Sequence, residues 1–471
     1  MARDRFIDGA KSLISPGWVP TVVLLLAAAT LGPALGAMTR PIFVAGCGLA
    51  GWYAWRKGPQ AHVQAAIALF AFAPFVRRLV DVGAGFDQAS IMLIGPLLFI
   101  IVPASSLLAP PSKDQPRNPW MVPPLIVLGC VAYGAALSLF QNDWFNAASG
   151  ALKWSAPVLY AMALQQEADE SGDLVHAAAR TFLVILPITG VYGVWQYVDP
   201  QVWDQYWMKF ASITSAGLPE PYLIRVFSTM NGPASYATFT ATGLLLVCFL
   251  RPGWQSLLAM APAALGLLLS LYRTAWLALA LGLVFCVFFG ATRRRAIGTG
   301  LGIAGATMAA IVLTPFGRVI GDRLSTLFSG SEDDSGSERL EEFVTLWNMP
   351  DSMVVGSGFS TVDVGTAGAI PTDGQIIACW LTMGIPIGLL CLAAYVWTGF
   401  WATSAAWRNP TREGVVLGAL AFGAIVIQMP LTSIASGEVS ALFWMLAAMA
   451  CPREMVPTTA SQPLDLPLNR A

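Results

Sequence analysis

Arginine is the residue whose placement in this sequence asks for a chemical explanation. Arg77 and Arg78 close an apolar run, Arg225 precedes one, and Arg273 interrupts another (ALGLLLSLYRTAWLALALGLV). Lys153 stands near the end of a further run, and Arg318, Arg323 and Arg339 fall in a long connection. Cations at membrane depth are costly and mark a pathway, a ligand site or an ion pair. Several guanidinium groups meeting on one face suit a phosphate or diphosphate, because arginine binds phosphate bidentately and stays charged. Such a cluster stabilises a diphosphate leaving group as charge develops on it, without a metal. No DxD-like motif stands at a span end, so metal-dependent glycosyl transfer is not favoured; no metal and no cofactor are expected. Other roles stay open: Arg77 and Arg78 as cations snorkelling to headgroups, and Lys153 as the partner of Asp143 or of a headgroup.

The elements that must position these cations follow from composition. The chain has 471 residues, of which 56% are hydrophobic and only 11% are Asp, Glu, Lys or Arg, against about 25% charged in a soluble domain. Its mean hydropathy is +0.64. So few charges cannot cover a soluble protein of this size. A soluble enzyme, a nucleic-acid binder and a disordered protein are excluded, and an all-α polytopic membrane protein remains. A net charge of −1 says nothing about an acidic or basic partner. The two histidines, His62 and His176, stand far apart, and the seven cysteines lie in apolar stretches without CxxC or zinc spacing. They read as small buried hydrophobes. The N-terminus has no short apolar core with a small-residue cleavage site, so no cleaved signal peptide is expected.

At roughly 20 apolar residues per crossing, spans are expected near 18–36, 38–55, 60–76, 89–108, 120–140, 149–165, 177–197, 232–250, 255–272, 274–290, 297–315, 374–400, 414–432 and 438–451. They form one integral membrane domain over 1–471. Alternate connections carry Arg3, Arg5 and Lys11, Arg56 and Lys57, Lys113 and Arg117, Arg180, Arg251, Arg293 to Arg295, and Arg408 and Arg412. That side reads as cytoplasmic, and both termini fall on it. The Pro-rich tail 452–471 is expected to be disordered.

The opposite side receives the long loops 198–230 and 316–373, far beyond the usual helix–helix connection. Loop 198–230 carries Trp203, Tyr206, Trp207, Phe210 and Tyr222, which predicts a short interfacial helix. In loop 316–373, an acidic turn (SGSEDDSGSE) precedes RLEEFVTLWNM, whose Leu340, Phe343, Val344 and Trp347 have helical spacing. An amphipathic helix over the membrane mouth is expected there. Glu438 opens the last span as a helix cap or as an arginine partner.

Three segments resemble the bacterial O-antigen ligase and polymerase superfamily, the Wzy/WaaL-type enzymes of lipopolysaccharide and exopolysaccharide biosynthesis. Arg225–Ala237 (RVFSTMNGPASYA) looks like the family's R-V-F-G-T-F-x-N-P-N-x-F-A entry into a span. Leu269–Leu281 (LSLYRTAWLALAL) is similar to its L-S-x-S-R-G-A-W-L-A stretch. The third segment runs from Arg339 through Pro350 and Gly356–Ser–Gly358–Phe359 to WLTMGIPIGL at 380–389. The resemblance covers roughly residues 180–400.

It implies a GT-C-like fold of about 12–14 spans and a metal-independent glycosyltransferase of the inner membrane, with its site on the periplasmic face. The donor implied is an undecaprenyl-pyrophosphate-linked glycan. A polymerase joins it to another lipid-linked repeat, whereas a ligase moves it to lipid A core. A chain-length regulator and export proteins are further candidate partners, beside membrane lipids. The family's essential arginine roles fall on Arg225, Arg273 and Arg339, with Arg77, Arg78 and Lys153 as additional anion contacts.

One departure matters. The family's ligases bear a His before the span after the large loop, where this chain has Asp373 (TDGQIIACW). A carboxylate of ordinary pKa about 4 is a weak base unless burial raises it. Glu341 and Glu342 compete for the role, and Asp373 also fits a helix N-cap. The missing His leaves a polymerase ahead of a ligase. The alternative of another class is a lipid-linked oligosaccharide flippase, for which two related halves and a midplane site are the marks.

Overall fold

A computed structural model describes residues 16–108, 118–167, 171–211, 214–251, 253–325, 344, 347–348, 354–361, 374–408 and 410–450. Among these residues the chain is all-α, with one isolated antiparallel bridge between Gly217 and Ile224. Every span expected from the sequence falls on a helix. In chain order these are α1 (Val19–Leu35), α2 (Thr39–Arg56), α3 (Pro59–Ala84), α4 (Ile91–Leu108), α5 (Pro119–Phe140), α6 (Trp144–Glu167) and α7 (Ser171–Val198). After the short α8 (Val202–Ala211) come α9 (Pro233–Leu250), α10 (Trp254–Leu269), α11 (Arg273–Val287), α12 (Arg293–Leu313) and α13 (Gly317–Ser325). The last are α14 (Gln375–Arg408), α15 (Arg412–Leu431) and α16 (Gly437–Ala450). By length and apolarity, 9 helical segments among the described residues suffice to cross a membrane, beside three shorter apolar helices, α10, α11 and α16. The chain is therefore a multi-pass membrane protein.

The first of those segments, Val19–Arg56, is 38 residues long but folds back on itself. Gly36 takes φ 65°, open to glycine without strain. Thr39 Oγ1 then donates to the Gly32 carbonyl at 3.0 Å, and Leu24 packs over Gly46. α1 and α2 thus form an antiparallel hairpin.

Layering follows burial. α3 and α9 are enclosed by other helices, whereas α12 and the α1–α2 hairpin present bare apolar faces (Leu26, Leu49 and Leu301 are exposed). In water each such leucine would forfeit about 1.5–3 kcal/mol of burial. In a bilayer they face lipid, which is as apolar as leucine.

The helices alternate between two ends. At one end, Val226 N–H donates to the Leu269 carbonyl at 3.1 Å, and Tyr197 meets Phe316 edge-on at 5.3 Å. At the other end, Gln60 reaches Asp173 at 3.3 Å, and Gln165 donates to the Ala448 carbonyl. The segments after α7 and α12 lie at the first end, as expected of the long loops.

Segment 354–361 inserts between α5, α6 and α14. Phe359 N–H donates to Ser138 Oγ at 2.7 Å, Tyr133 OH to the Val355 carbonyl at 2.9 Å, and Ser357 N–H to the Leu381 carbonyl at 2.8 Å. The Phe359 ring lies over Gly150, edge-on to Trp154. Beside this wedge α14 breaks at Gly384 (φ 71°, ψ 178°), a conformation held essentially by glycine alone. A Cβ there would overlap the Val354 carbonyl, and one on Gly356 (φ 82°) would overlap the Gly384 amide. The GxG spacing is thus a close approach of two backbones.

Candidate arginine site

Arg225 is carried by a short irregular strip pinned on both sides. Its N–H donates to the Ala216 carbonyl at 2.8 Å, and the next N–H holds Leu269. Gln196 Oε1 accepts from both Phe227 N–H (3.1 Å) and Ser228 N–H (2.8 Å). Ser228 takes φ 51° and donates its Oγ to the Thr189 carbonyl at 2.5 Å. Val226, Phe227 and Ser228 are buried, which leaves Arg225 half-buried at the rim.

Arg273 starts α11 after a tight turn. Ser270 Oγ caps the Leu267 carbonyl at 2.6 Å, Leu271 adopts φ 54°, and Tyr272 N–H returns to Ser270 Oγ at 3.3 Å. A guanidinium at a helix N-terminus adds to the positive end of the dipole instead of offsetting it. Arg323 of α13 reaches the same turn, its Nε donating to the Leu271 carbonyl at 3.2 Å. The pairing of Val226 with Leu269 therefore brings together the strip of Arg225, the turn of Arg273 and the helix of Arg323.

At this rim Arg225 and Arg273 stand within electrostatic reach of one another. Burial, and then the neighbouring Arg273, hold the Arg225 guanidinium below its ordinary value. Among the described residues no carboxylate pairs with Arg225. An anionic ligand favours the charged form of a half-buried cation that stands beside another cation.

Arg77 and Arg78 have a different setting. Arg78 is fully buried; its Nη1 meets Asp204 at 2.5 Å, its Nη2 donates to the Ser228 carbonyl, and its guanidinium lies over Phe227. Asp204 also accepts from Tyr192 OH at 2.6 Å, which accepts from Trp203 Nε1 at 2.7 Å. Arg77 pairs with Asp81 at 3.2 Å and donates to the Asp87 carbonyl, while Arg40 reaches Asp81 at 3.0 Å. Carboxylates engage both guanidinium groups: Arg78 braces α8 and the strip of Arg225, while Arg77 ties the end of α3 to the turn at Asp87. Lys153 is half-buried on α6, beside the Trp154 that contacts Phe359.

Arg339, Glu341, Glu342 and Asp373 lie outside the described residues. Their neighbours are described. Asn348 N–H bonds the Val344 carbonyl at 3.1 Å, one helical turn, and Trp347 meets Trp380 edge-on at 6.2 Å. Gly374 takes φ 120°, and the Gln375 Oε1 accepts from Ser433 Oγ (3.1 Å) and Ile434 N–H (3.0 Å). Both histidines sit at the other end: His62 is buried against Tyr160 at 2.9 Å, and His176 pairs with Glu413 at 3.3 Å.

Two contact positions, Asp204 and Gln196, escaped the sequence, which named Arg323 without its place at the turn. Arg323 was one cation among several in its loop. Asp204 and Gln196 gave no signal, because their partners Arg78 and Ser228 are distant in the chain.

No protein-family model matches the chain, and no curated protein matches it.

Proposed function

We propose that the protein is a membrane glycosyltransferase that polymerises polyprenyl-diphosphate-linked oligosaccharide repeats, in O-antigen or exopolysaccharide assembly. One observation carries the reading: two half-buried arginines, Arg225 and Arg273, are brought to one rim of the bundle by the hydrogen bond from Val226 N–H to the Leu269 carbonyl. A diphosphate is the anion whose charge and bidentate oxygens answer that arrangement.

In the reaction, the acceptor hydroxyl oxygen bonds to the anomeric carbon of the donor, and the bond from that carbon to the diphosphate oxygen breaks. The acceptor proton passes to a carboxylate, for which Asp373 is the candidate. The charge released on the diphosphate is met by Arg225 and Arg273, with Arg339 closing over the donor. Preorganised cations of this kind stabilise the transition state more than the ground state.

The test is a reconstituted assay with lipid-linked repeats. A ladder of products supports the polymerase, and a single transfer to lipid A core supports a ligase. A fully active Arg273→Ala protein removes the reading. A transporter of the same lipid is the second reading; the break of α14 at Gly384 favours it, because discontinuous helices line transporter sites. Translocation of lipid-linked repeats in proteoliposomes without chain growth supports it.

A further inference from the structure

We propose that Arg180 and Arg251 form a second anion site, a clamp for the phosphate of an anionic lipid headgroup, at the end of the bundle opposite Arg225. Arg180 projects from α7, and Arg251 follows the last residue of α9. Arg251 spends one Nη2 proton on the His176 carbonyl at 3.3 Å. Its Nε is buried without a partner, and so is the Nε of Arg180. Two guanidinium Nε donors are thus withdrawn from water and unanswered, which costs free energy until an acceptor arrives.

The surroundings withhold that acceptor. Glu413 is engaged with His176 Nε2 at 3.3 Å, and Asp173 accepts from Gln60 Nε2 at 3.3 Å. Among the described residues neither Arg180 nor Arg251 has a carboxylate partner. Burial, followed by Arg180, holds Arg251 below the ordinary arginine value. Further positive charge lies alongside: Arg295 donates to the Phe249 carbonyl, with Arg412 in electrostatic reach of it.

A phosphate ester meets these demands, because its oxygens accept from the Nε and Nη edge of each fork. The rim argues for a phosphate carrying acyl chains. Immediately after Arg251, Trp254, Leu257 and Leu258 are exposed at 73%, 54% and 66%. Tryptophan at such a position marks the headgroup level, with lipid tails against the leucines. Basic pockets between helices at a membrane surface bind lipid phosphates in this way.

The test uses the purified full chain in detergent, titrated with phosphatidylglycerol, phosphatidylcholine or inorganic phosphate and read by native mass spectrometry and melting. Phosphatidylglycerol is expected to bind and raise the melting temperature, and the other two to leave it unchanged. In R180Q/R251Q, phosphatidylglycerol binding falls about tenfold or more, as two headgroup cations are lost; R225Q retains it. On the wild-type chain, phosphatidylglycerol slows phenylglyoxal modification of Arg180 and Arg251, a readout independent of variant folding. Equal lipid binding by wild type and R180Q/R251Q, or unprotected arginines, overturns the site. Equal protection by inorganic phosphate assigns a free anion and overturns the lipid.

Discussion

Arg78 and Asp204 meet at 2.5 Å with neither side chain exposed to solvent. One stands toward the end of a buried helix and the other on a short helix after a different span. Removing one partner leaves the other charge buried and unanswered, which costs about 3–5 kcal/mol. Arg78→Met and Asp204→Leu alone are each expected to lower the melting temperature in detergent strongly. The double variant R78M/D204L is expected to recover much of the loss, because neither charge then remains. Additive single losses would remove the pair as the strut of α8.

Arg225 is expected to separate stability from activity. Its guanidinium sits half-buried beside Arg273, so Arg225→Gln relieves both desolvation and repulsion. The variant is expected to melt at or above the wild-type temperature while losing transfer. A diphosphate ligand is expected to stabilise the wild type by about 2.7 kcal/mol at a hundredfold excess over Kd, and the variant much less. A variant that melts lower and keeps its activity would count against the anion site.

For Arg273 the expected loss lies in chemistry rather than assembly. Arg273→Ala is expected to insert at normal abundance and to lower turnover by about 10²–10³-fold, the loss typical of one preorganised charge donor. Arg273→Lys keeps the charge but not the fork, and should fall between. Quantified product ladders at matched protein levels measure both.

Gly384 is expected to tolerate no side chain. Alanine there adopts a glycine-only backbone conformation, at about 1–3 kcal/mol, and meets the Val354 carbonyl. Gly384→Ala is therefore expected to loosen segment 354–361, seen as faster proteolysis within that segment. Gly300→Ala on lipid-facing α12, where a Cβ meets open space, is the control expected to behave as wild type.

The all-α membrane class and the place of the apolar helices were legible in the amino-acid sequence, whereas α13 lay inside an expected loop. Apolar runs of membrane length have one solution, a backbone that satisfies its own hydrogen bonds, so each run could be read locally. The same logic singled out Arg225 and Arg273, because a cation in an apolar stretch is costly wherever the stretch folds. Packing between distant segments set the partners of the others. Arg77 and Arg78 looked like ligand residues until α3 set them against Asp81 and Asp204, and Arg323 looked like a loop charge until α13 brought it to the Leu271 carbonyl. A charge's cost is written in its own sequence neighbourhood, but its partner is chosen by packing between segments far apart in the chain.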